Sequence, residues 1–240
     1  MPGPWLILPT YNEAENIEPL VRAVLPQLES TGLPHTVLVV DDNSPDGTGQ
    51  IADRLAEEIE RVRVLHRPQK QGLGRAYLAG FEVALEGGAD LILEMDSDFS
   101  HNPADVPRLI AATAGADLVL GSRYVAGGDV GEWGRIRRAI SRAGSNYARR
   151  WLGLGIRDLT GGFKCFRREV LEAIDLESVS ALGYAFQIET TYRTAKAGFR
   201  VVEVPIFFHD RRVGESKMSR SIVAEAAWRV PRMRLCGHRG

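Results

Sequence analysis

Asp96 and Asp98 stand one residue apart in "LILEMDSDFSH", residues 91 to 101, where an apolar run of strand character ends in two acids followed by Ser100 and His101. Side chains two apart on a strand share a side, so the carboxylates are expected to converge on one point. Like charges held together need a counter-charge or hydrogen-bond donors. A hard divalent cation supplies the first: Mg²⁺ takes one or two carboxylates and fills its octahedron with water and phosphate oxygens. The competing expectation is that each acid caps the helix after its strand, a role that suits Asp46 and Asp105. His101 and His209 are not assigned as ligands, because Mg²⁺ and Mn²⁺ sites of this kind favour oxygen.

The elements that must hold these acids follow from hydrophobic patterning. Short apolar runs, "WLIL", "TVLVVDD", "VRVLHR", "DLILEMD" and "DLVLGS", alternate with helical patterns near 14–31, 48–60, 73–86 and 104–114. Such alternation without hairpin signals predicts an α/β fold with an open, mostly parallel sheet covered on both faces. Ligands of such sheets sit beyond the carboxyl ends of the strands. Those ends read "PTYNE" (Pro9 to Glu13), "DDNSPDG" (Asp41 to Gly47), "DSD" (Asp96 to Asp98) and "GSRY" (Gly121 to Tyr124), so acids crowd two of four tips. After Arg123 the pattern changes. "VAGGDVGEWG" is a Gly-rich loop, 135–152 reads as a helix, "GGFKCF" as a short strand and 184–198 as a helix. The strand "RVVEVPIFF" and the polar loop "HDRRVGESKMS" precede a last basic helix, which Pro231 is expected to break.

Composition bounds the rest. A chain of 240 residues, 44% apolar and 25% charged, suits one domain with a full core. Its net charge of -1 excludes a globally basic nucleic-acid coat, so no nucleic-acid partner is expected. Cys165 and Cys236 lack metal-like spacing and fit a reduced, cytoplasmic chain. No apolar run approaches the roughly 20 residues that cross a bilayer, and "MPGPWLILPTYNE" lacks the length and charge of a signal peptide. One motif misleads: "GTGQIA", Gly47 to Ala52, matches a dinucleotide fingerprint, but "DNSPD" separates it from its strand and no ribose-binding acid ends "VRVLHR".

Taken in order, "LPTYNEAENI", "VVDDNSPDGTGQIA", "KQGLGRAYLAGF", "MDSDFSHNP", "GSRYVAGG", "DLTGGFKCF", "GYAFQIE" and "FHDRRVGESKMS" resemble the family 2 glycosyltransferases, most closely the polyprenol- or dolichol-phosphate mannose synthases. The resemblance runs from Trp5 to about Ser219 and implies a GT-A-like domain over 1–218. Its nucleotide-binding half would be about 1–123, its acceptor half about 124–218, and 219–240 a basic, membrane-surface segment. It implies that Pro9, Tyr11, Glu13, Val40 and Asp42 grip the base and ribose of GDP. Asp96, Ser97 and Asp98 would bind the donor and its Mg²⁺ or Mn²⁺, with Asp96 and Asp98 as metal residues and Asp98 the direct ligand. Arg123, Arg211 and Lys217 would neutralise the diphosphate, and Arg123, Arg137 and Ser141 the acceptor phosphate. Asp98, Arg123, Arg211 and Lys217 thus form the implied catalytic set. Ser100 departs from relatives that carry a longer Gln there as a further ligand.

The chemistry also follows from charge. A nucleotide-sugar leaving group grows more negative as its glycosidic bond breaks, and a divalent cation with Arg or Lys stabilises that charge. A sugar hydroxyl attacking in an inverting displacement needs a carboxylate base, for which Asp158 is the one candidate. A phosphate acceptor, with a second pKa near 6, is already anionic at pH 7 and needs only cations to place it. "RIRRAISRAGSNYARR", residues 135–150, carries six arginines and no acid, with Ile136, Ile140, Tyr147 and Trp151 at helical spacing. A basic amphipathic helix of this kind suits an anionic membrane surface. The expected activity is transfer of mannose from GDP-mannose to a polyprenyl monophosphate by a peripheral enzyme at the cytoplasmic face, with or without a separate membrane-anchoring protein. The alternatives are another donor such as UDP-glucose, or a nucleotide-sugar or membrane-binding module without turnover.

Overall fold

The computed structural model describes residues 3–131, 133–179, 183–210 and 220–235. The strands are β1 (Pro4–Thr10), β2 (Thr36–Asp41), β3 (Val62–His66), β4 (Leu91–Glu94), β5 (Leu118–Ser122), β6 (Lys164–Arg167) and β7 (Val201–Pro205). The helices are α1 (Ile17–Glu29), α2 (Thr48–Glu58), α3 (Leu73–Glu86), α4 (Val106–Ala112), α5 (Arg135–Leu152), α6 (Arg168–Ala173), α7 (Tyr184–Lys196) and α8 (Arg220–Leu235). All seven strands form one sheet in the order β3-β2-β1-β4-β6-β5-β7. Only β6 runs against its neighbours, β4 and β5.

Near-continuous apolar strands arise because both sheet faces are covered. Alternate residues of β1 and β2 feed two cores. Trp5, Ile7, Leu38 and Val40 pack with α3, α5, α6, α7 and Val230 of α8, whereas Leu6, Leu8, Val37 and Val39 pack with α1, α2 and α4. Each large side chain fully withdrawn from water contributes about 1.5–3 kcal/mol. Gly80 lets α3 lie close to the sheet, since a Cβ there would meet Ile7 Cγ2 at 2.7 Å. The six-residue α6 carries too few turns for a periodic signal, and the sequence alone did not announce it.

Pro231 does not break the last helix, contrary to expectation: α8 continues through it to Leu235. Proline removes the hydrogen bond to the carbonyl four residues earlier, which is that of Ala227. The Tyr147 hydroxyl of α5 donates to this carbonyl at 2.7 Å, and Arg234 Nη1 in turn donates to Trp151 O at the end of α5. Partners on another helix thus satisfy the group that proline leaves open. Tyr147→Phe is expected to lower the unfolding free energy by about 0.5–1.5 kcal/mol in urea titrations. An unchanged midpoint would mean that water serves the carbonyl equally well.

Candidate active site

The carboxyl ends of β1, β2, β4 and β5 bring the expected tips together. The loop after β1 is tied to the loop after β2 by backbone donors: Asn12 N to Ser44 Oγ at 3.0 Å, Glu13 N to Thr48 Oγ1 at 2.9 Å and Ala14 N to Asp46 Oδ2 at 3.1 Å. Asn12 and Asn43 both adopt the left-handed region, with φ of 57° and 56°, which tightens each turn. Gly47, not Asp46, is the N-cap of α2; Asp46 stands one residue before it and accepts from Thr48 N and Thr48 Oγ1 at the head of the helix. Burial raises its carboxyl, and the hydrogen bonds from Thr48 and Ala14 outweigh that to hold it below the usual range. Asp105 does not cap α4 with its side chain; it pairs with Arg108 instead.

The crowded acids of the second tip are neutralised from within the protein. Asp41 accepts from Thr10 Oγ1 at 3.2 Å, Ser44 Oγ at 2.6 Å and Ser44 N at 3.1 Å. Asp42 is paired with Arg67, which also donates to Gln71 Oε1 at 2.8 Å. Burial still raises the Asp42 carboxyl, against the lowering effect of Arg67. The expectation that four clustered acids share one counter-charge is therefore narrowed, since Asp41 and Asp42 each have their own donors. Arg67, at the tip of β3, was missed from sequence, since nothing local marks it as the partner of an acid 25 residues away. Near Asp42, the Lys70 ammonium stands 3.9 Å from the centroid of the Tyr11 ring.

Strand alternation does not place Asp96 and Asp98. β4 ends at Glu94, and both acids lie on the turn beyond it, closed by Phe99 at φ 61°. Ser97 Oγ fastens that turn to β1 by donating to Pro9 O at 2.9 Å. Ser100 N donates to Asp98 Oδ1 at 3.0 Å, and the buried Tyr77 hydroxyl of α3 approaches Asp96 Oδ1 at 3.4 Å. His101 sits beneath, its Nδ1 accepting from Asp96 N at 3.3 Å and its ring stacked 5.0 Å from Phe163. Burial drives its pKa down to about 4, against the raising effect of Asp98. It is a neutral structural strut at pH 7. No three His, Cys, Asp or Glu side chains among the described residues cluster closely enough to cage a metal alone. Two carboxylates on one turn do fit a hard ion that draws its other ligands from a diphosphate and water.

Arg123 follows β5 and is buried. Its Nε and Nη2 donate to the two oxygens of Asp158 at 2.7 and 2.6 Å, and Nη2 also reaches Thr160 Oγ1 at 2.8 Å. Burial alone would raise the Asp158 carboxyl; the Arg123 charge and hydrogen bonds hold it lowered. The guanidinium carbon lies 5.2–5.7 Å from the ring centroids of Tyr124, Phe208 and Trp133. Trp133 carries Arg137 at 4.0 Å, and Arg137 also pairs with Asp210 at 2.6 Å. Tyr124 donates to Ser141 Oγ at 2.6 Å. Arg123, Arg137 and Ser141 therefore share one aromatic-lined group. The same Phe208 meets His101 edge-on at 5.2 Å, and His209 N donates to Ser100 O, so this group is joined to the acidic turn. Arg211 and Lys217 lie outside the described residues.

Comparison with known proteins agrees with this arrangement. Residues 5–175 match the family model described as glycosyl transferase family 2. The undecaprenyl-phosphate mannosyltransferase of Micrococcus luteus is 51% identical over 94% of this chain and 91% of its own length. The polyprenol monophosphomannose synthase of Mycolicibacterium smegmatis is 50% identical over 94% of this chain and 84% of its own. Among solved structures, glucosyl-3-phosphoglycerate synthase of Mycobacterium tuberculosis with Mn²⁺, UDP and phosphoglyceric acid superposes with a TM-score of 0.71 at 22% identity, covering 95% of this chain and 78% of that one. That likeness establishes the GT-A architecture alone. With the family match across most of its length and half of its residues shared with two such enzymes, the chain belongs to glycosyltransferase family 2, in the group of the polyprenol-phosphate mannose synthases.

Proposed function

We propose that this enzyme transfers mannose from GDP-mannose to the phosphate of a polyprenyl (dolichyl-type) monophosphate, with inversion, releasing GDP. The observation that supports the reading is the joining of the acidic turn to a cationic aromatic group through His101 and Phe208, as a donor site beside an anion site would require. The two half-identical relatives bear names of the same reaction class. Pro9, Tyr11, Glu13, Val40 and Asp42 hold the nucleoside, Asp42 being presented by Arg67. Asp96 and Asp98 hold Mg²⁺ or Mn²⁺, whose chemistry is to stabilise charge on the departing diphosphate. Ser97 keeps their turn against β1. Arg123, Arg211 and Lys217 neutralise the phosphates, and Arg137 and Ser141 orient the acceptor. An acceptor phosphate oxygen attacks the anomeric carbon as the bond to the diphosphate breaks, so no side chain takes a proton.

Asp158 supports that choice of acceptor. Its carboxylate is saturated by Arg123 and held ionised, and it is spoken for as the orienting partner of a cation. Contact with the lipid fits the surface: Ile136 is 78% exposed and Trp228 61%, with Ile140, Trp151 and Leu235 exposed on the same two helices, α5 and α8. No helix among the described residues is long and apolar enough to cross a membrane. The enzyme is accordingly read as peripheral at the cytoplasmic face, by its own surface or through an anchoring protein. Labelled GDP-mannose or UDP-glucose, incubated with polyprenyl phosphate in anionic vesicles with and without Mn²⁺, tests the reading. Mannose alone should reach the lipid, and Ile136→Asp with Trp151→Asp should reduce vesicle-bound transfer by about tenfold or more. Transfer of glucose in preference would replace the donor assignment.

A further inference from the structure

Beneath Asp96 lies a group of buried polar side chains that none of the roles above explains. Glu94 ends β4 and Lys164 begins β6, and the two are register partners in the antiparallel pair. Both are fully buried. Lys164 Nζ donates to Gln187 O at 2.8 Å and to Thr190 Oγ1 at 3.0 Å, while Thr191 Oγ1 donates to the same Gln187 carbonyl at 2.9 Å. The backbone of Gln187 in α7 is thereby fixed. Its side chain is not satisfied in the same way. Both amide atoms of Gln187 and both carboxylate oxygens of Glu94 are buried without a hydrogen-bond partner in the protein. The amide stands beside the carboxylate without the geometry of a formed hydrogen bond.

Buried polar atoms are ordinarily paired, and each exception costs about 1–3 kcal/mol. An apolar residue of the same length would remove that cost, so the amide has to serve something other than stability. Its location shows what. A Cβ built on Gly162 would lie 3.4 Å from Gln187 Nε2 and 3.5 Å from Asp96 Oδ1, so amide and carboxylate face one point across this glycine. Tyr77 approaches the same Asp96 oxygen from α3. Groups from α3, β4, β6 and α7 thus converge under one side of the acidic turn.

We propose that Gln187 is a positioning residue for the donor site: its amide, buried between Glu94 and Asp96, orients the Asp96 carboxylate toward a divalent ion and the donor's phosphates. The proposal rests on the assignment of Asp96 to the donor site. Gln187→Met keeps the length of the side chain and removes both polar ends. Its melting temperature is expected to equal or exceed that of the unaltered protein. Its affinity for GDP with Mn²⁺, measured by titration calorimetry on the full chain, is expected to fall about tenfold, with more Mn²⁺ needed for half-maximal binding. GDP binding without Mn²⁺ should not change. Gln187→Glu keeps the shape without the amide donor and should lose at least as much. Unchanged Mn²⁺-dependent affinity in both variants would overturn the proposal, and so would a loss of stability accompanied by an equal loss of Mn²⁺-independent binding. If the unaltered protein binds neither GDP nor UDP more tightly with Mn²⁺, the assignment of Asp96 itself fails and takes the proposal with it.

Discussion

Replacing Asp98 by Asn or Ala is expected to cut sugar transfer by at least about 10³-fold, or about 4 kcal/mol of transition-state stabilisation. The side chain is buried on the turn after β4, where its Oδ1 accepts the Ser100 N–H at 3.0 Å. Asn keeps an oxygen for that donor and removes only the charge, so Asp98→Asn separates electrostatics from folding. Ala also strips the Ser100 N–H of its acceptor, which costs about 1–3 kcal/mol of stability where the group is buried. The two variants should therefore be equally inactive and differ in unfolding midpoint. Initial rates across a Mn²⁺ series with unfolding curves on the same preparations distinguish the cases. An Asp98→Asn enzyme with undiminished turnover and metal response would remove the acidic turn from the chemistry.

Much of this site was legible in the chain because it depends on local patterns. Apolar runs that alternate with 3.6-residue periodicity gave the six co-directional strands, and the tips of those strands gave Asp42, Asp96, Asp98 and Arg123 without reference to contacts. Helix α5 has the bounds its periodicity predicted, Arg135–Leu152. What the chain did not reveal depends on partners remote in sequence. The direction of β6 follows from a long connection after β5 that carries no hairpin signal. The helix beyond Pro231 survives because Tyr147, 80 residues earlier, supplies a donor. Strand alternation put the two acids on one side for a reason that does not hold, since they lie on a turn whose shape depends on Phe99 in the left-handed region. One signal was present and overlooked: Glu94 within "LILEM" and Lys164 within "GGFKCF" are charges inside apolar strand runs. Such charges are seldom fully buried unless paired, and here they mark the polar group under Asp96.

The structure also divides the acids of the active site by what answers their charge. Asp41 is met by hydroxyl and backbone donors, Asp42 by Arg67 and Asp158 by Arg123. Each is settled before any substrate arrives. At the turn carrying Asp96 and Asp98 the neighbouring groups are the Tyr77 hydroxyl, the Ser100 N–H and the His101 ring, with Ser97 fastening the turn to β1.

Asp158→Ala is expected to destabilise the fold by about 3–5 kcal/mol, because it strands the Arg123 guanidinium in a site only 5% exposed. The Arg123–Asp158 bridge is bidentate, with a third bond from Arg123 N to Asp158 Oδ2 at 3.0 Å, so three hydrogen bonds to an ionised group are lost together. The pH dependence has a definite sign. The folded carboxyl is held below its unfolded value near 3.9, so its contribution is complete above that pH and fades as pH falls through the folded value. Urea unfolding at pH 7 and pH 3 should show the gap between the variant and the unaltered protein narrowing in acid. The double change Arg123→Met with Asp158→Leu removes both charges and should recover most of the stability, since apolar replacements of a buried pair are often neutral or stabilising. Transfer should not return with it, because the recovered fold lacks the cation beside Trp133 and Arg137 that we propose serves the phosphates. A double variant that is stable and fully active would reduce Arg123 and Asp158 to a strut. A stable Asp158→Asn variant that loses transfer to lipid phosphate while keeping Arg123 in place would instead restore Asp158 as a base.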